Sequence, residues 1–282
     1  MKRKSKAIWQ GVLLRGENKL LKSMADNLDN QFVLIPNGKE QIRRYRDNQK
    51  WISSDSKMSI PGSKNDMEEI QYDVEIASFF LAKYPVTQGI YDTILKGVLS
   101  TNDLPVVNVS WLDAVQFCNL LSKANGFTEC YSFDDENVLC DFSKNGYRLP
   151  TDAEWQYACK AGSNKYHYGM IDDIAWYINN SAGMAHAVGK KQPNAYGLYD
   201  MLGNVWEWCW DLYDEDTYGS YRVFRGGSWA EEARGCGATS RRRSFPTFTI
   251  DDLGFRIARS TFGNQCQQVN KLTCCNTECN TR

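Results

Sequence analysis

The chain has 282 residues, a hydrophobic content of 42% and a formal net charge of −1. It can bury the core of one large domain or two small ones, and it carries no global field that would favour nucleic acid or an anionic membrane. No window holds the run of about 18 apolar residues that a membrane-spanning helix needs, and nine Trp and fifteen Tyr suit a fold in which flat rings with a polar edge cover irregular backbone.

The opening MKRKSKAIWQGVLLRG is basic like the start of a signal peptide, but Gln10, Gly11, Arg15 and Glu17 break the apolar region that must follow. The expectation is a mature or a cytosolic chain. Ile8, Val12, Leu13, Leu20, Leu21, Met24 and Leu28 recur among charges, so residues 1–30 read as a helical segment packed on the main domain. QFVLIPNGKE (Gln31 to Glu40) reads as a buried strand running into a turn. Residues 41–64 read as loop and weak strand, and Val74 to Gln88 as a resumed strand.

Two helices have explicit starts. Ser110 precedes WLDAVQFCNLLSKANG with Asp113 three positions on and Gly126 as the stop. Thr151 precedes DAEWQYACKAG with Glu154 completing a capping box and Gly162 closing. Few other helical patterns appear. The Gly-, Asn-, Asp- and Tyr-rich stretch from Ser163 to Asn204 is expected to be irregular and to need packing partners or a metal to stay ordered.

RVFRGGSW (Arg222 to Trp229) and LGFRIAR (Leu253 to Arg259) alternate apolar and polar residues as half-buried strands do, with Leu253, Phe255 and Ile257 on one face. Between them, charge and bulk follow neither a helical nor a strand period, the mark of an exposed binding loop held by a scaffold. The run Arg241, Arg242, Arg243 reads first as solvated or salt-bridged. After Ser260 the chain turns polar, and residues 263–282 form a Cys-rich tail whose C-x7-C-C-x3-C spacing is not a standard zinc pattern. Cys118, Cys159 and Cys209 sit in apolar patterns and read as core thiols, which leaves the redox compartment open.

Other chemistry is sparse. His167 and His186 are the only histidines, and neither has nucleophile or metal-ligand spacing. The pairs Asp172–Asp173 and Asp251–Asp252 read as turn residues, and there is no phosphate-binding glycine loop.

FVLIPNG, YPVTQGIYD, PVVNVSWLDAVQFCN, YRLPTDAEWQYACKAG, PNAYGLYDMLGNVWEWCWD, RVFRGGSW and LGFRIA occur in the order seen in the formylglycine-generating enzyme, or sulfatase-modifying factor, family, which the chain resembles over about residues 31–260. The resemblance implies an α+β, C-type-lectin-like fold: two helices around small antiparallel sheets with much irregular structure, here spanning 31–262. It also implies a calcium site at Asp200, Gly203, Val205 and Glu207, with a salt-bridged Glu207 as the alternative. Family enzymes oxidise a substrate cysteine at a copper-binding cysteine pair, because two soft thiolates select Cu(I). Here the second position is Cys236 but the first is Glu231, so no copper and no oxidase activity are expected unless Cys140 or Cys209 reaches the site.

The departure suits a non-enzymatic branch resembling the variable proteins of diversity-generating retroelements, in which a diversified ligand-binding surface precedes a last strand. The implied contact residues lie within 229–259. Trp229, Glu231, Glu232, Arg242 and Arg243 would join Gly235, Gly237, Ser240, Ser244, Phe245, Thr247, Phe248, Ile250, Asp251 and Asp252. The last ten are reachable from an Asn codon by changes at its first two bases; Glu231 and Glu232 are not. The implied partner is a protein or other macromolecule bound by a monomer at the cell surface or in secreted form. A copper-dependent cysteine oxidase and an accessory domain with a fixed partner are the alternatives.

Overall fold

The computed structural model describes residues 30–47, 67–134 and 137–261. The expected N-terminal helical segment and Cys-rich tail lie outside the described residues.

Strand β1 (Phe32–Ile35) is only partly buried, with Leu34 exposed, and the chain then turns straight into β2 (Gly38–Asp47), which pairs antiparallel with β3 (Met67–Ile76). The single strand expected from Val74 to Gln88 is three elements. β3 ends, β4 (Phe79–Ala82) joins β1, and Thr87 caps an unforeseen helix α1 (Gln88–Lys96) by accepting the Ile90 N–H. Helix α2 (Trp111–Ala124) begins at Ser110 as expected, and Ser110 and Asp113 there form a capping box. It is followed by the hairpin of β5 (Tyr131–Asp134) and β6 (Asn137–Cys140), and by the two-residue strand β7 (Tyr147–Arg148). Helix α3 (Asp152–Lys160) has the Thr151–Glu154 capping box, and Glu154 also binds Arg148 through both oxygens at 2.7 Å. Its left-handed closing residue is Ala161, one position before the expected Gly162.

Irregular chain follows, broken by one-turn helices α4 (Ile171–Ile174) and α5 (Glu215–Tyr218). Side chains supply the order that this stretch lacks in backbone pairing. Asn194 caps its own turn and donates to the Ala158 and Cys159 carbonyls, while His186 stacks on Trp176 at 3.8 Å and donates through Nε2 to the Ser181 carbonyl.

The remaining strands build two four-stranded sheets. One has the order β1-β4-β12-β7, with β12 spanning Ala258–Ser260, and is antiparallel throughout. The other, β10-β9-β8-β11, contains β8 (Trp206–Leu212), β9 (Arg222–Arg225), β10 (Arg241–Ser244) and β11 (Leu253–Phe255), with β11 parallel to β8. Strand alternation divides this second sheet between two cores. Trp206, Trp208, Phe224, Leu253 and Phe255 pack with Phe117 and Leu121 of α2; Cys209 and Val223 pack with Trp155 and Ala158 of α3. Both faces of β8 and β9 are covered, so RVFR is buried more fully than its alternation implies.

LGFRIAR is not one strand. Leu253, Phe255 and Ile257 share the α2 core as expected, but the chain leaves the second sheet after Phe255 and enters the first as β12 (Ala258–Ser260). Arg256 spans the crossing, its guanidinium held by Glu207 and by the Ala82 and Tyr199 carbonyls with no exposure to solvent. This fixes the two ends of the intervening segment in different sheets.

Candidate functional site

The surface starts where β9 ends. Gly226 and Gly227 have φ of 100° and 82°, a backbone region that L side chains avoid. A Cβ on Gly227 would also stand 2.6 Å from the Cys236 sulfur, so the glycine pair lets the following turn fold back on the strand. That turn is pinned from below. Trp229 N–H reaches the Asn204 carbonyl, Ile178 N–H reaches the Glu231 carbonyl, and the Ser228 hydroxyl donates to Asp252 at 2.6 Å. The Tyr166 ring fills the space that a side chain at Gly237 would need, and its hydroxyl donates to the Arg234 carbonyl and meets the Ser240 hydroxyl at 2.7 Å.

Strand β10 then sorts the three arginines. Opposite Arg225, Arg241 points to the α3 face, where its Nε binds Asp152 at 2.7 Å and its guanidinium lies 4.0 Å from the Tyr213 ring centre. Asp152 takes Arg225 on its other oxygen. Arg243 follows Arg241 to the same face and lies over Tyr218 at 3.7 Å. Arg242 faces the other way, across Trp206, and binds Glu231 through both guanidinium termini at 2.9 Å.

On that face lies a cavity of about 460 Å³. Trp206 and Ile178 come to it from outside the loop, Glu231, Glu232, Arg234 and Gly235 from the turn, and Ser240, Arg241 and Arg242 from the root of β10. Glu232 and Arg234 pair at 2.8 Å on the rim. Beyond β10, Phe245 stacks edge-on against Tyr221 at 4.1 Å, and Phe245, Thr247, Phe248, Ile250 and Asp251 are exposed on the 245–251 turn.

Of the fifteen residues expected at the surface, Glu231, Glu232, Gly235, Ser240 and Arg242 meet at the cavity, and Phe245, Thr247, Phe248, Ile250 and Asp251 form the exposed turn beyond it. Trp229 and Ser244 are part-buried. Three expectations are corrected. Gly237 is covered by Tyr166, Asp252 is buried and spent on Ser228, and Arg243 turns to the opposite face of the sheet from Arg242. Trp206 and Ile178 were not foreseen at the cavity. Register with β9 and β11 brings Trp206 there, and no local pattern signals that. Both histidines are loop residues, His167 meeting the Ala233 carbonyl.

Cys236 is buried, and burial followed by the neighbouring Glu231 carboxylate pushes its thiol up to about 12. The cysteines among the described residues, Cys140 and Cys209 included, are free; Cys140 borders the α2 core and Cys209 lies in the α3 core.

The residues matched to a calcium site do not fit one. Glu207 accepts from Arg256 Nη2 at 2.8 Å, from Arg256 Nε at 3.0 Å and from Trp155 Nε1 at 2.7 Å, which is its salt-bridged alternative. Asp200 accepts the Gly189 N–H at 2.7 Å, and burial pushes its carboxyl up to about 6. Gly203 is used for close approach, since a Cβ there would stand 2.2 Å from the Trp176 carbonyl, and Val205 is buried. Among the described residues no group of three or more His, Cys, Asp or Glu could hold a metal ion, and no helix is long and apolar enough to cross a membrane.

The sulfatase-modifying factor enzyme 1-like domain model matches residues 17–261, and the chain belongs to that family. It is 28% identical over 229 residues to chaperone protein LppX of Paenibacillus barcinonensis, covering 66% of this chain and 82% of that one. To the formylglycine-generating enzyme of Mus musculus it is 30% identical, over 57% of this chain and 45% of the enzyme's length; to the inactive C-alpha-formylglycine-generating enzyme 2 of the same species it is 29% identical, over 58% and 52%. The family thus holds active and inactive members, and this chain spans only about half of either mouse protein. Among solved structures, Treponema denticola variable protein 1 superposes with a TM-score of 0.65 at 29% identity, covering 82% of this chain and 95% of that one. PvdO from Pseudomonas aeruginosa gives 0.61 at 22% identity, over 82% and 94%.

Proposed function

We propose that this member of the sulfatase-modifying factor family is a non-catalytic binder, a variable protein of the retroelement-diversified kind, whose 229–259 segment presents changeable side chains to a macromolecular ligand. The observation that carries the reading is a division of labour within the segment. Its fixed contacts are made by backbone and by buried residues such as Cys236, Gly237 and Asp252, the last held by Ser228, while Glu231, Glu232, Arg234, Arg242, Phe245, Thr247, Phe248 and Ile250 reach the cavity or solvent. The likeness to the Treponema denticola variable protein over most of both chains supports it.

A cysteine oxidase is the rival. It has one thiol, Cys236, and one carboxylate, Glu231, where its metal would need two thiolates. Display at the cell surface or secretion belongs to the same proposal, as does a monomeric binder.

Sequencing codons 229–259 in many independent isolates of the source organism tests the reading. The expected result is substitution at a fixed subset of exposed positions, with RGGSW and LGFRIA unchanged. A uniform segment, together with copper-dependent oxidation of a cysteine peptide, would overturn it in favour of the enzyme.

A further inference from the structure

The cavity has a definite chemical polarity, set by which of its charges are already spent. Glu231 has both oxygens on Arg242, and its side chain is only 18% exposed. Glu232 is paired with Arg234 on the rim. An entering cation would have to displace the Arg242 guanidinium to reach Glu231, and at Glu232 it would meet a solvated rim carboxylate, where an exposed pair contributes little. Arg241 borders the cavity from the root of β10 but carries its guanidinium to the α3 face, where Nε binds Asp152 and Nη2 the Leu212 and Tyr213 carbonyls.

Arg242 differs. Its two terminal nitrogens hold Glu231 end-on, the indole of Trp206 lies 5.1 Å beneath it, and 54% of the side chain is exposed. A guanidinium has five N–H donors in a rigid fork, so end-on binding of one carboxylate leaves a second edge, Nε–H included, for another. That edge is pre-oriented by the ion pair and the ring, which lowers the ordering cost of binding. An apolar group has less to gain, since Trp206 is 2% exposed and already overlaid by Arg242.

We infer that in this variant the cavity takes a carboxylate of a protein ligand, an acidic side chain or a chain terminus, on the open edge of Arg242. The inference rests on the binder reading above. Because Arg242 lies in the diversified segment, it assigns the ligand chemistry of this sequence and not of every sibling.

The test is titration of the ¹⁵N-arginine-labelled chain, followed at the Arg242 Nε–H resonance, with four probes. N-acetyl-glutamate α-amide carries a side-chain carboxylate, N-acetyl-glutamine a terminal one, N-acetyl-glutamine amide no charge and N-acetyl-lysine amide a cation. A saturable shift with either or both carboxylate probes, and none with the other two, is expected, and which carboxylate binds tells side chain from terminus. Arg242→Gln should abolish the shift-linked binding read by probe relaxation, and Arg242→Lys should weaken it about ten-fold, the loss of one charge-assisted hydrogen bond. Saturation by the lysine or neutral probe, or no saturation by any, overturns the inference. Isolate sequencing is independent of this outcome: a variable segment with no carboxylate binding sinks the inference alone, and carboxylate binding on a uniform segment sinks the diversified reading alone.

Discussion

Asp152 stands at the first position of α3 and receives Arg225 on one oxygen and Arg241 on the other, with almost no exposure. Burial would raise its carboxyl, but the two guanidiniums outweigh burial and hold it at about 2, below the ordinary 3.8. A carboxylate depressed in the folded state adds stability above its unfolded pKa and loses it as pH falls through the folded one. Acid destabilisation assigned to Asp152 therefore falls between about pH 4 and pH 2. Asp152→Asn leaves two buried cations short of a partner and is expected to cost about 3–5 kcal/mol at pH 7, a difference that narrows toward pH 2; urea denaturation at both ends of the range checks it. Glu207 gives a second prediction at this scale. With its oxygens on Arg256 and Trp155, calcium at millimolar concentration should leave the melting temperature unchanged, whereas a bound ion would raise it with concentration.

The elements show what short-range chemistry reveals and what it hides. Both capping boxes are legible because a cap is settled within four residues, by a hydroxyl and a carboxylate trading backbone donors. The break between β11 and β12 is not, because the alternation of Leu253, Phe255 and Ile257 continues across it; what ends the strand is Arg256 reaching Glu207 from a position between two sheets. The same holds for the arginine run, where strand register alone sends Arg242 to the cavity and its neighbours to Asp152 and Tyr218. Helix α1 escaped notice because its first turn follows directly on an apolar strand pattern. The join between β9 and the turn can be tested directly. At Gly227 a positive φ coincides with contact on Cys236, so Gly227→Ala is expected to cost more than about 1 kcal/mol, read by thermal melting.

Taken as a whole, the molecule keeps its cohesive interactions away from its presenting face. The Arg256–Glu207 and Arg148–Glu154 pairs are buried and line no part of the cavity, and of the buried residues of the two cores only Trp206 reaches it. Single replacements at Glu232, Arg234, Thr247 and Ile250 should therefore shift stability by no more than about 0.5 kcal/mol, whereas replacement of Arg256 by Ala should cost about 3–5 kcal/mol by stranding buried Glu207. A melting panel that scattered widely across the exposed positions would show that the surface is part of the core after all.

Strand β4 lies between β1 and β12, with Phe32 opposite Ala82 and Ser260 opposite Phe79. Three residues along the strand and two strand spacings across it put Phe32 and Ser260 about 14 Å apart. A linker of about five residues would join them. Between these two residues the path thus comes back nearly on itself within one sheet while its presenting turns belong to the other, and a host protein with a suitably spaced loop could carry residues 32–260 as an insert.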